Sequence, residues 1–189
     1  MKKNLGFTMI ELLIVIAVLG VLAVAVLSAI NPIEQINRGK DTGSRSDAEQ
    51  SLSAVERFYT IRGYYPWQID ASDLTDTIAW AALPAAVVEG DGTLIMNRLS
   101  AVGTEEIKAS FAERINGAVG TDRLFVWHEE GTENSVYVCF APKSASFKDE
   151  ALARCTADCT AGLPSDLATV TGGCAGTLCD ADDPMICLP

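Results

Sequence analysis

Glu11 is an acid inside an apolar run, Phe7 to Ile30, whose other polar side chains are Thr8 and Ser28. A carboxylate in an apolar medium costs several kcal/mol unless something pairs with it, so Glu11 asks for a cation. A short basic leader, MKKNLG, precedes the run. A cut between Gly6 and Phe7 would create an α-ammonium only a few residues from Glu11. Asp180, Asp182 and Asp183 also gather carboxylates, in a DADDP segment between Cys179 and Cys187. Such a loop can ligate a hard cation such as calcium through oxygen, or stand as a solvated acidic loop. His128 precedes Glu129 and Glu130, but no nucleophile motif accompanies it. At a predicted strand end it reads as a surface residue. No phosphate loop, dinucleotide turn or H-E-x-x-H sequence occurs, so no catalytic residue and no enzyme are predicted.

All six cysteines, Cys139, Cys155, Cys159, Cys174, Cys179 and Cys187, lie in the last third of the chain. An even count in a segment placed outside the membrane reads as disulfides. Their spacing leaves the pairing open. The formal net charge of −11 argues against direct nucleic-acid binding, which needs clustered Lys and Arg. Lys2 and Lys3 should hold the N-terminus in the cytoplasm, with the remainder outside.

The elements that carry these residues follow from periodicity. As a helix, the apolar run extends about 35 Å, enough to cross a bilayer core of ~30 Å. A secretory signal has a shorter apolar region with its cleavage site behind it, and a plain signal anchor gives no reason for Glu11. Residues 31–47 are polar and contain Pro32, Gly39 and Gly43, and Ala48, Leu52, Val55 and Tyr59 then recur at helical spacing. One helix from Phe7 to Arg62 is expected, with a kink or local melting in its middle. Gly63 suits a left-handed cap and Pro66 a stop. Beyond it, Ile78–Val88 predicts a short helix or two turns, Thr93–Leu99 a strand, and Glu105–Ile115 a helix. Leu124–His128 and Ser135–Phe140 predict strands joined by a turn with Gly131 and Asn134.

The ordered run Gly6-Phe7-Thr8-Met9-Ile10-Glu11, behind a basic leader and ahead of a long apolar helix, resembles a type IV prepilin. Met9 stands where leucine is commoner. The resemblance implies an α+β pilin fold, in which a long N-terminal helix, half membranous and half amphipathic, packs on an antiparallel sheet with a disulfide-rich C-terminal tail. It implies a leader (1–6), a transmembrane and assembly helix (7–30), an amphipathic continuation (31–62) and an extracytoplasmic head (63–189). A prepilin peptidase would cut after Gly6 and N-methylate Phe7, and Glu11 would pair with the N-terminus of a neighbouring subunit. The implied function is a structural subunit of a cell-surface filament, a homopolymer built by ATP-driven machinery from a single-pass membrane precursor. Arg62-Gly63-Tyr64-Tyr65-Pro66 is similar to the turn after the long helix in many pilins and in pseudopilins of type II secretion, so a pseudopilin is the alternative within the superfamily. A membrane-anchored binding domain that never polymerises is the alternative of another class. The resemblance also raises calcium at the DADDP loop and a Cys179–Cys187 ring like the C-terminal disulfide loop of some pilins.

Overall fold

A computed structural model describes residues 6–86, 88, 90, 92–131, 134–155, 167, 178–180 and 182–189. The chain divides into two compact units, Met1–Ile36 and Asn37–Pro189.

The first unit is dominated by helix α1, Met9–Ala29. Helix α2, Pro32–Arg62, begins there and runs on into the second unit. The expected single helix is therefore interrupted, at Ile30 and Asn31, where Ile30 is extended (φ −101°, ψ 128°). Pro32 is the cause. Its ring disfavours helical geometry at the preceding residue, while its fixed φ suits the first position of a new helix. Asn31 Oδ1 accepts from the Glu34 amide at 3.4 Å, capping the new start. Gly39 and Gly43, expected to weaken this stretch, lie within continuous helix.

The second unit packs α2 against one face of a four-stranded antiparallel sheet. Its strands are β1 Ile78–Ala82, β2 Leu124–His128, β3 Tyr137–Phe140 and β4 Ile186–Leu188, in the order β1-β2-β3-β4. Alternation sorts the strand residues. Leu124, Val126, Val138, Phe140 and Ile186 join Ala48, Leu52, Val55 and Phe58 of α2 in one core. Tyr137, Cys139 and Cys187 face the other side, with Leu167, Leu178 and Met185, and β3 is buried on both faces. Helices α3 Ile95–Ser100, α4 Ala109–Asn116 and α5 Ala145–Ala153 complete the unit. Two 3₁₀ turns, Leu83–Ala85 and Gly120–Asp122, lead out of β1 and into β2.

Three expectations are corrected. Ile78–Ala82 is a strand with only a 3₁₀ turn after it, because pairing with β2 overrides alanine's helix preference. Thr93–Leu99 is not a strand; Ile95, Met96 and Leu99 form the buried side of α3, a spacing of one, three and four that fits a helix. Tyr59 is not in the core. Phe58 fills that place at 2% exposure, while Tyr59 remains 38% exposed.

A buried acid holds α2 to the start of α5. Asp41 is 1% exposed, and it accepts hydrogen bonds from the Lys143 amide at 2.8 Å, the Ser144 amide at 2.8 Å and Ser144 Oγ at 2.5 Å. Ser144 is itself the N-cap of α5. The carboxylate thus sits at a helix N-terminus, where free amides and the helix dipole favour negative charge. Arg98 secures the segment after α2. It donates to the carbonyls of Pro66 (3.2 Å), Gln68 and Ile69 (2.9 Å), and its guanidinium lies over Tyr64 and Phe58. Gly63 takes the left-handed conformation expected of it, at φ 78°.

Among the described residues two disulfides form, Cys139–Cys187 and Cys155–Cys179. The Cys179–Cys187 ring is therefore overturned. Cys139 and Cys187 are direct cross-strand partners of β3 and β4, with Cα atoms 4.0 Å apart, so the strand register itself brings these sulfurs together. Cys159 and Cys174 lie outside the described residues.

Replacing Asp41 with alanine should cost about 2–4 kcal/mol, because it orphans two buried amides and a hydroxyl; urea unfolding of the purified chain in detergent measures it. Non-reducing digestion and mass spectrometry should recover peptides cross-linked Cys139 to Cys187 and Cys155 to Cys179. Replacing Cys139 and Cys187 together should cost about 2–5 kcal/mol.

Candidate functional site

The candidate site is the start of α1. Thr8 is its N-cap and Glu11 its third residue, and together they close a reciprocal capping box. The Glu11 amide donates to Thr8 Oγ1 at 3.3 Å, while Glu11 Oε2 accepts from the Thr8 amide at 2.8 Å and from Thr8 Oγ1 at 2.6 Å. The carboxylate thus has local partners that the sequence argument, looking only for a cation, did not supply. The signal was present as T-x-x-E ahead of an apolar run. Both Thr8 bonds land on Oε2, and no hydrogen bond among the described residues uses Oε1.

Behind the cap, α1 is apolar on every side. Its window Met9–Ser28 has a mean hydropathy of 3.1 and is 0% buried, and it is long and apolar enough to cross a membrane. A one-sided helix packs on its own domain, whereas a helix that is hydrophobic all round needs apolar cover in every direction. Phe7, ahead of the cap, is 82% exposed. Gly6 adopts no left-handed angle, and a Cβ built there meets nothing within 4 Å. The fold therefore gives no reason for a glycine at position 6.

The profile of the prokaryotic N-terminal methylation motif matches residues 1–27. The chain is 27% identical over 137 residues to the type IV major pilin protein PilE1 of Neisseria gonorrhoeae, covering 72% of this chain and 58% of that one. It is 32% identical over 88 residues to the fimbrial protein EcpC of Eikenella corrodens, covering 47% of this chain and 56% of that one. The chain is type IV pilin-like. It spans little more than half the length of these two relatives. No solved structure matches it.

The other candidate residues of this pilin-like chain belong to the second unit. His128 is not on the surface as expected: it is 0% exposed, with Nδ1 3.2 Å from the Ser135 carbonyl and Nε2 3.9 Å from Asp76 Oδ2. It occupies an inward position of β2 with Leu124 and Val126, so alternation alone could have placed it inside. In the acidic loop, Asp180 Oδ1 accepts the Asp182 amide at 2.9 Å. Lys148 Nζ donates to the Asp182 carbonyl at 2.6 Å and lies 3.8 Å from Asp183 Oδ1. Positive charge thus reaches this loop from α5. Among the described residues no three or more His, Cys, Asp or Glu side chains group as a metal cage.

Enlarging residue 6 tests the reading of its glycine. Gly6→Leu should leave the unfolding curve of the chain unchanged, since open space surrounds that position; a shifted curve would show a conformational need for glycine.

Proposed function

We propose that this chain is a structural subunit of a type IV pilus-like surface filament. In this reading a prepilin peptidase cuts between Gly6 and Phe7 and methylates the new N-terminus, and the subunits polymerise through α1. The observation that carries it is the all-round apolar exposure of α1 directly behind a matched methylation motif. Lipid covers such a helix in the precursor, and the α1 helices of other copies cover it in the filament. The pilin and fimbrial relatives support the same conclusion.

Glu11 supplies alignment. Cleavage turns the Phe7 nitrogen into an ammonium, and Glu11 Oε1 of a neighbouring copy, which takes no hydrogen bond from a described residue, can receive it while Oε2 keeps its bonds to Thr8. Apolar packing is tolerant of axial slip, whereas an ion pair at low dielectric is not. That Oε1 therefore selects one register from the many that packing permits. Force for extraction from the membrane would come from ATP-driven assembly machinery.

Surface filaments, sheared and analysed by intact mass, should contain chains that begin at Phe7 with one added methyl group. Retention of Met1–Gly6 would overturn this maturation. Glu11→Gln separates the two roles of the acid, because an amide oxygen still caps Thr8 but carries no charge. Both Glu11→Ala and Glu11→Gln should be processed yet give at least tenfold fewer filaments by electron microscopy. Normal filament yield from Glu11→Gln would reduce Glu11 to a helix cap.

A further inference from the structure

An open groove of ≈ 380 Å³ lies in the second unit, lined by Glu56, Tyr59 and Thr60 of α2 together with Tyr65, Asn134 and Val136. We propose that it binds a quaternary ammonium group. Its floor is an aromatic stack. Tyr65 lies between Trp67, with centroids 4.6 Å apart and planes at 4°, and Tyr59, at 4.4 Å and 21°. Tyr59 ends the stack, lines the groove and is 38% exposed. Glu56 precedes it by three residues on the same helix, a spacing that places both side chains on one face.

The electrostatics of the groove have one sign. Among the described residues no Lys, Arg or His lines it. The nearest cations along α2 are committed elsewhere, Arg57 to Glu106 at 3.0 Å and Arg62 to the Gly103 carbonyl at 2.8 Å. The Asn134 side chain, which lines the groove, donates to the carbonyl of Glu130 at 2.8 Å. Burial, then the neighbouring Tyr59, Asp76 and Glu56, raise the Tyr65 phenol to about 12. An aromatic face attracts a cation within about 6 Å of its centroid, and Glu56 adds a full charge beside it.

The chemistry further selects a quaternary cation over a primary one. A lysine-type ammonium is compact and strongly hydrated, with three donors to satisfy. Glu56 and Thr60 offer it acceptors, whereas Tyr59, Tyr65 and Val136 offer ring and methyl surface that leaves part of its hydration unreplaced. A trimethylammonium group has no donors, and its methyl groups match the apolar ring. This site lies wholly within the second unit and does not depend on whether the chain polymerises.

The test titrates the full-length chain, in a non-ionic detergent, with choline, its neutral isostere 3,3-dimethylbutan-1-ol, and Nα-acetyl-lysine methylamide, followed by NMR. Choline should bind saturably in the millimolar range, several-fold tighter than either competitor. Tyr59→Phe should retain binding and Tyr59→Ala abolish it. Glu56→Gln, a surface change that leaves the stack intact, should weaken it about two- to fivefold. Equal binding of the neutral isostere, or no saturable choline binding, would overturn the site. Equal binding of the lysine derivative would overturn its preference for quaternary cations, and indifference to both Tyr59→Ala and Glu56→Gln would move the ligand elsewhere. Phosphocholine serves as a last arm: tighter binding than choline assigns a lipid headgroup, and weaker binding assigns a free quaternary cation.

Discussion

Everything in this molecule turns on an uncovered helix. Fourteen large apolar side chains of α1, from Met9 to Leu27, are exposed. Fully burying each is worth about 1.5–3 kcal/mol, so their summed demand is on the order of 20 kcal/mol or more. That exceeds the net stability of an ordinary domain, about 5–15 kcal/mol. The chain therefore has no well-populated state in which α1 faces water. The exposed surface calls for apolar cover; in the proposed reading lipid supplies it in the precursor and other copies of α1 supply it in the filament.

The second unit meets a different constraint, because its sheet needs cover on both faces. Helix α2 supplies one side through Ala48, Leu52, Val55 and Phe58. On the other side, Tyr137, Cys139 and Cys187 pack with Leu178 and Met185. The cystines reinforce this thinner side: Cys139–Cys187 joins adjacent strands, and Cys155–Cys179 joins the chain just beyond α5 to the approach to β4. Asp41 performs the corresponding task on the helix side. A charged group fixed by three short-range donors orients α5 in a way that apolar contacts, being non-directional, do not.

Much of this was legible because it is local. The strand Leu124–His128, the turn at Gly131 and Asn134, and the cap at Gly63 are written in alternation and glycine geometry. The break before Pro32 follows from one ring. Other features are set by partners distant in sequence. Ile78–Ala82 becomes a strand only because β2 lies beside it, and Cys139 meets Cys187 across 48 residues through the β3–β4 register. Asp41 looked like one more polar residue of a solvated stretch, since its donors lie 102 and 103 residues away. His128 was misplaced for another reason: its place at a strand end suggested a surface, while the parity of its strand position pointed inward.

In the proposed assembly Glu11 would meet two demands without conflict. Read from sequence, it was an isolated charge in need of a cation. In the structure it is a helix cap, bonded to Thr8 through one oxygen. These roles are complementary. A carboxylate swinging freely among rotamers would lose side-chain entropy on pairing with another chain, and that loss would erode the ion pair. Held by Thr8, Glu11 has already lost that freedom within its own helix, and its second oxygen points from a fixed place. In the proposed assembly, threonine at position 8 would contribute by preorganising an acceptor, although its own hydroxyl need never touch a neighbour.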